Sequence, residues 1–238
     1  MLGITVATYN IHRCYGIDRR FSPERIRKVL EELDTDIIAL QEVETYDDGG
    51  FDLLKFLSGD QYQPIAGPTL LRHNAQYGNA LLSRLPIKQV LQHDLTVPDR
   101  EPRGAIDARI QTSGITFRIV ATHFGLSIRE RRLQAQRILE LIEPQAESVE
   151  ILLGDLNEWF LWGRPLRWLH RAFAKTPSFA TFPACFPLLA LDRLWVRPNI
   201  VLKRLQRHDS PIARIASDHL PLRAELELPT RLTLDTQA

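Results

Sequence analysis

Cysteine is scarce in this chain: Cys14 and Cys185 are the only two in 238 residues, so neither a disulfide framework nor a cysteine-rich zinc site is expected to hold it together. No apolar run reaches eighteen residues. The nearest, from Pro177 to Leu191, is short and broken by prolines, which excludes it as a membrane-spanning helix. Neither sign of charge dominates, because 30 Lys and Arg stand against 29 Asp and Glu for a net charge of +1. A global field drawing the protein onto nucleic acid is therefore absent, although local basic patches are not excluded. The opening MLGITVATYN has no basic segment followed by a long apolar one, so the expectation is an unprocessed cytoplasmic protein. Repeats and low-complexity tracts are also missing.

What remains, 44% hydrophobic and 25% charged residues, suits a chain that buries a sizeable core. Four short apolar runs each end on a polar residue: Ile4 to Tyr9 before Asn10, Ile37 to Gln41 before Glu42, Phe117 to Thr122 before His123, and Ile151 to Gly154 before Asp155. Such runs read as buried strands, and a polar residue at each end places chemistry on a sheet rim. Two segments reverse the order, with Asp192 just before Leu194-Trp195-Val196 and Asp218-His219 just before Leu220-Pro221-Leu222. One site drawing on both ends of the chain argues for a single domain over residues 1–229, with 230–238 a frayed tail.

Ser22-Pro23 opens a helix through Leu33, with serine as the expected N-cap and Ile26, Val29, Leu30 and Leu33 as the buried stripe. Asp36 to Gln41 closes a strand-helix-strand unit, and Asp47-Asp48-Gly49-Gly50 is a turn. From Gly78 to Thr122 the pattern is strand-rich with short connections, which favours antiparallel pairing. Ser127 and Glu130 fit a capping box for a helix that ends at Pro144, its arginines on a solvated face. Two last strands are expected around 200–206 and 220–228. All four tryptophans fall between Trp159 and Trp195.

Hard divalent cations prefer oxygen ligands and take only one or two carboxylates from a protein, a demand that Glu42 meets with help from Asn10 and Asp218. His-x-x-x-His spacing is missing, so the ligand chemistry points to Mg2+ or Mn2+ rather than zinc. Hydrolysis also needs a base and a donor to phosphate oxygen. His219 titrates near neutral pH and Asp192 can orient it, which leaves His123 as donor. In Gly154-Asp155-Leu156-Asn157 the glycine permits close backbone approach, and Asp155 and Asn157 can hold water and phosphate. Singly, each of these fragments is as well explained by turn chemistry.

In order along the chain, Thr8-Tyr9-Asn10, Leu40-Gln41-Glu42-Val43, Gly78-Asn79-Ala80, Thr122-His123, Gly154-Asp155-Leu156-Asn157, Leu191-Asp192-Arg193 and Ser217-Asp218-His219-Leu220-Pro221 resemble the endonuclease/exonuclease/phosphatase superfamily. The resemblance implies a four-layer α/β sandwich of two mostly antiparallel sheets flanked by helices, and metal-dependent attack of water on a phosphoester. It implies Glu42 as principal metal ligand, with Asn10 and Asp218 assisting, His219 paired with Asp192, Asp155 and Asn157 positioning water and phosphate, and His123 binding phosphate. Family members differ over whether the residue matching Asp155 or His219 takes the proton. Arg103 resembles a phosphate-contacting arginine, and Asn79 a support for His123. Abasic-site members carry an aspartate where this chain has His12, which counts against a second metal and a DNA-repair role.

The substrate is not set by fold. Trp159 to Arg171 combines aromatics with arginines, a composition that suits a membrane surface, a core helix or stacked single-stranded bases. A lipid or small phosphodiester substrate, with peripheral contact at the inner membrane face, is the first expectation. A DNA nuclease of the DNase I-like type is second, and a non-catalytic phosphate-binding module third. No obligate protein partner is inferred.

Overall fold

Period-two alternation along each strand sorts side chains onto two faces, and a computed structural model covering residues 1–46, 52–72, 75–142 and 149–229 shows what each face meets. Its strands are β1 (Leu2–Asn10), β2 (Ile37–Tyr46), β3 (Gln63–Arg72), β4 (Ala75–Ser83), β5 (Ile87–Asp94), β6 (Gly104–Thr112), β7 (Ile115–His123), β8 (Glu150–Asp155), β9 (Asp192–Arg197), β10 (Leu202–Arg207) and β11 (Leu222–Leu228). Its helices are α1 (Pro23–Leu33), α2 (Leu53–Ser58), α3 (Ile128–Leu141), α4 (Arg164–Phe173) and α5 (Ala213–Ala216). The expected turn at Asp47 to Gly50, the helix end at Pro144 and the tail from 230 lie outside the described residues.

The strands form a six-stranded sheet in the order β10-β11-β1-β2-β4-β3 and a five-stranded sheet in the order β5-β6-β7-β8-β9. Among the described pairings only β1 with β2 and β7 with β8 are parallel, so the sheets are mostly antiparallel as expected. Each sheet therefore contains one strand-helix-strand crossover, through α1 in the first and through α3 in the second.

Three apolar layers separate four structural ones. Ile4 and Val6 of β1, Ile37 and Ala39 of β2, Phe117 and Ile119 of β7, and Ile151 and Leu153 of β8 meet between the sheets. The opposite faces, with Ala7 and Tyr9 of β1 and Ile38 and Leu40 of β2, pack under α1 and α2. Val120, Leu152 and Trp195 pack under α3 and α4. Each large side chain removed from water in these layers contributes about 1.5–3 kcal/mol.

Local chemistry follows the sequence in most places. The capping box of α3 is complete, with Ser127 accepting from the Glu130 amide and Glu130 accepting from the Ser127 amide. Ser22 differs: its hydroxyl donates to Glu24 Oε2 at 3.0 Å instead of accepting from the first turn of α1. Strand β2 does not stop at Gln41 but continues to Tyr46 through an irregularity between Leu40 and Val43. The α3 arginines are not all solvated, because Arg131 is buried beneath the helix. Strand β3 and α2 have no counterpart among the expected elements, while α4 gives a helix to part of the segment left open between core and surface. Pro64 and Pro68 disguised β3, and the structure tolerates them because β3 lies at the sheet edge.

Candidate active site

The same alternation that builds the inner core carries it outward to one rim. On β1, β7, β8 and β9 the inward series ends or begins with Asn10, His123, Asp155 and Asp192. Register places His123 opposite Asp155 and Asp155 opposite Asp192, so three functional groups stand side by side across the second sheet. Asn10 comes from the first sheet, and its amide nitrogen reaches Asp155 Oδ2 at 3.0 Å and Glu42 Oε1 at 3.3 Å.

Glu42 would face the helix layer in a regular strand. It sits instead at the irregularity in β2, with the left-handed φ of 57° that is uncommon outside glycine. A bulge re-aims one side chain without ending the strand, and the backbone strain is concentrated at this residue.

Gly154 makes the Asp155 position accessible to its neighbours. A Cβ there would lie 1.9 Å from the Thr122 carbonyl oxygen of β7, so only glycine lets the two strands approach this closely. After the strand the backbone turns: the Asn157 amide donates to Asp155 Oδ1 at 2.8 Å, and Asn157 takes a φ of 49°. The Asn157 amide nitrogen then lies 3.0 Å from Phe124 O and 3.1 Å from His123 Nε2.

Electrostatics separates the two histidines. Burial, with Arg103 and His219 nearby, pushes His123 well below the usual imidazole range, so it is neutral. Arg103 Nη1 lies 2.9 Å from His123 Nδ1 and the Asn157 side-chain nitrogen 3.1 Å from Nε2, so donors face both ring nitrogens, and Asp155 Oδ2 stands 3.6 Å from Nε2. Burial opposes charge on His219 too, but Asp192 and Asp155 outweigh it and raise the imidazole to about 10. Its Nδ1 is 2.8 Å from Asp192 Oδ2 and its Nε2 is 3.7 Å from Asp155 Oδ2. Burial raises Asp155 to about 6, against the pull of His219.

These groups floor a cleft of about 410 Å3 whose lining includes Arg13, Glu42, Arg103, His123, Asp155, Asn157, Asp218 and His219. Its walls are apolar, with Tyr77, Leu126 and Trp159 as well as Phe182, Leu189 and Leu191. Ser217 ties the two ends of the chain together by donating to Asn10 O at 2.8 Å.

Two predicted residues make hydrogen bonds that the sequence did not indicate. Asn10 accepts from the His12 backbone amide through its side-chain oxygen at 3.0 Å and turns its nitrogen toward Glu42 and Asp155. Asn79 is buried and donates to Gly104 O at 3.1 Å, tying β4 to β6 beside Arg103, and among the described residues no hydrogen bond links it to His123. The sequence reading also missed Arg13 and Glu101, and no local pattern marks either. His12, the noted departure, has its Nδ1 3.7 Å from Asp218 Oδ1 at the edge of the cleft.

As to metals, Asp155, Asp192 and His219 carry ligand atoms within 4.8 Å of one another, all buried. Glu42 and Asp218 are more open, the Asp218 side chain being 32% exposed. Oxygen donors of both kinds suit a hard divalent cation.

Two layered sheets with this cleft at their shared rim define a layered α/β sandwich, and comparison gives the family. Residues 7–219 match the Endonuclease/Exonuclease/phosphatase family, and the chain belongs to it. Members of this family generally hydrolyse phosphoester bonds. The chain is 31% identical to the uncharacterized protein YbhP of Escherichia coli strain K12, covering 94% of this chain and 96% of that protein. It superposes on an endonuclease/exonuclease/phosphatase from Beutenbergia cavernae with a TM-score of 0.79 at 21% identity, covering 96% of this chain and 72% of that one. Against D. rerio TDP2 complexed with single-strand DNA product the TM-score is 0.72 at 14% identity, over 96% of this chain and 100% of that one.

Proposed function

We propose that the protein, as one domain over residues 1–229, is a divalent-metal-dependent hydrolase of a lipid or small phosphodiester. The observation that carries this reading is the convergence of Glu42, Asp155, Asp218, His123, His219 and Arg103 on one cleft from both sheets. Glu42 and Asp218 fit the metal better than the buried Asp155, Asp192 and His219 group. There the His219–Asp192 hydrogen bond engages both partners, whereas Glu42 and Asp218 face the open cleft. A bound Mg2+ or Mn2+ would neutralise charge that develops on a phosphoryl oxygen.

The protein's own residues supply the rest. Arg103 keeps a buried Nε without a partner, a donor suited to an anionic oxygen. His123 binds the phosphate at the cleft floor, and Asn157 fixes it beside His123. Asp155, held by Asn10 and the Asn157 amide, accepts the proton from the attacking water at a carboxylate oxygen. His219, flanked by Asp192 and Asp155, serves as the cationic donor and not as the base. A second reading, a nuclease, is favoured only by the single-strand DNA product seen with D. rerio TDP2, a distant neighbour.

The test is turnover of bis-p-nitrophenyl phosphate with Mg2+ or Mn2+, beside Glu42→Ala and His219→Ala. Each variant is expected to lose at least a hundredfold in kcat/KM, about 2.7 kcal/mol of transition-state stabilisation. Full activity in either variant, or equal activity in excess EDTA, would overturn the assignment.

A further inference from the structure

A group of exposed apolar side chains lies at the cleft mouth and on the loops that continue from its lining. Trp159 and Leu126 line the cleft and are 54% and 65% exposed, and their chain neighbours Leu161, Trp162 and Ile128 are exposed as well, Trp162 at 72%. Across the lining, Phe182 and Leu189 are the ends of a loop closed by hydrogen bonds between them, and its tip carries exposed Phe186 and Leu188. Apolar patches of this kind on a folded surface mark an interaction site.

The Trp159 loop is held rigidly. Buried Arg131 donates to Leu126 O and, through Nε at 3.2 Å, to Glu158 Oε2, while Glu158 Oε1 accepts from the Phe160 amide at 3.1 Å. One ion pair thus fastens both apolar loops. Immediately beyond, α4 buries Pro165, Leu166, Leu169 and Phe173 against the sheet and turns Arg164, Arg167 and Arg171 to solvent. Those arginines, three and four apart, share one helix face. No Asp or Glu occurs between Trp159 and Lys175.

We propose that this rim docks on an anionic phospholipid bilayer, with Leu161, Trp162 and Phe186 entering the headgroup boundary and the α4 arginines meeting the headgroups. The proposal rests on the phosphoester-hydrolase reading and names the source of its substrate, a lipid presented at the membrane surface. Charge complementarity selects this occupant: apolar tips beside a purely cationic face suit an anionic interface. A second copy would bring the same arginines against themselves in a two-fold contact. Single-stranded bases would need a row of free aromatic faces, but Phe160 and Trp162 pack on each other at 5.8 Å and 45°, Trp159 and Phe186 stand on separate loops, and Leu126, Leu161 and Leu188 are aliphatic.

Co-sedimentation in EDTA, where no turnover occurs, measures docking independently of catalysis. The intact protein is expected to bind phosphatidylcholine vesicles containing 30 mol% phosphatidylglycerol, as an assay choice of about that fraction, and pure phosphatidylcholine at least roughly tenfold more weakly. Leu161→Ser/Trp162→Ser is expected to bind anionic vesicles at least roughly tenfold more weakly while hydrolysing bis-p-nitrophenyl phosphate as the wild type does. Arg164→Gln/Arg167→Gln/Arg171→Gln should lose the preference for anionic lipid. Equal binding by wild type and the serine variant, no vesicle binding at all, or displacement of vesicles by a single-stranded oligonucleotide would overturn the proposal. Loss of diester turnover with vesicle binding intact would instead strike the hydrolase reading.

Discussion

Replacing Gly154 by alanine tests whether strand spacing, and not only side-chain identity, sets the geometry of the site. The added Cβ would lie 1.9 Å from Thr122 O, 2.9 Å from Thr122 C and 3.1 Å from Thr122 N, all backbone atoms of the parallel neighbour β7. Opening the shortest contact to about 3.5 Å requires a shift of about 1.6 Å. Gly154 also has a φ of 144°, which alanine adopts only with strain. Backbone strain of about 1–3 kcal/mol and overpacking of about 1–3 kcal/mol give a loss near 4 kcal/mol. For a chain of this size that is a fall in Tm of roughly 8–16 °C. The adjacent register pair is His123 with Asp155, so the shift also moves these two groups of the candidate site. A misplacement of about 1 Å can cost a hundredfold in rate. Thermal melts and diester turnover read the two effects separately. Gly114→Ala is the control, since Gly114 has a φ of 80° but open space around its Cβ position, and should cost only about 1 kcal/mol. A Gly154→Ala protein that melts within 2 °C of wild type (about the effect of 1 kcal/mol or less) and turns over within about threefold would refute the reasoning.

Two further perturbations probe the second sheet. Arg118 is buried between Asp107, at 2.7 Å, and Glu150, at 3.4 Å, so Arg118→Met leaves Asp107 with His93 alone and Glu150 with Arg197 alone and should cost about 3 kcal/mol in urea unfolding at pH 7. Burial alone would raise Asp107, but hydrogen bonds from Arg118 and His93 hold it below the usual carboxylate range. That stabilisation is present above the unfolded value near 3.9 and is lost as pH falls through the folded one, so the gap between wild type and variant should narrow toward pH 3. A gap independent of pH would contradict the pairing. Asp192→Asn removes the carboxylate that most raises His219, and NMR titration should find that imidazole well below its wild-type value of about 10. An unchanged value would mean that Asp155 alone holds the charge.

Sequence alone determined the strand ends and much of the site, because period-two alternation obliges the last inward residue of a core strand to reach the rim. Asn10, His123, Asp155 and Asp192 follow that rule. The glycine before Asp155, the Ser127 capping box and the α1 stripe were legible for the same reason, each being fixed within a few residues of chain. Tertiary structure decided whatever depends on a partner distant in sequence. The β2 irregularity, set by pairing with β4, turned Glu42 toward the cleft against its alternation. Arg131 became buried because Glu158 and Leu126 O, from separate loops, supply its acceptors. Asn10 and Asn79 have the same amide, but which end faces a carboxylate or a carbonyl depends on neighbours across the sheets. The tryptophan-rich segment was open between core and surface, since helical spacing tells which residues share a face but not what that face meets. Packing under α4 took Leu166, Leu169 and Phe173 for the core, left Trp168 half-buried, and left Trp159 and Trp162 in solvent at the cleft mouth.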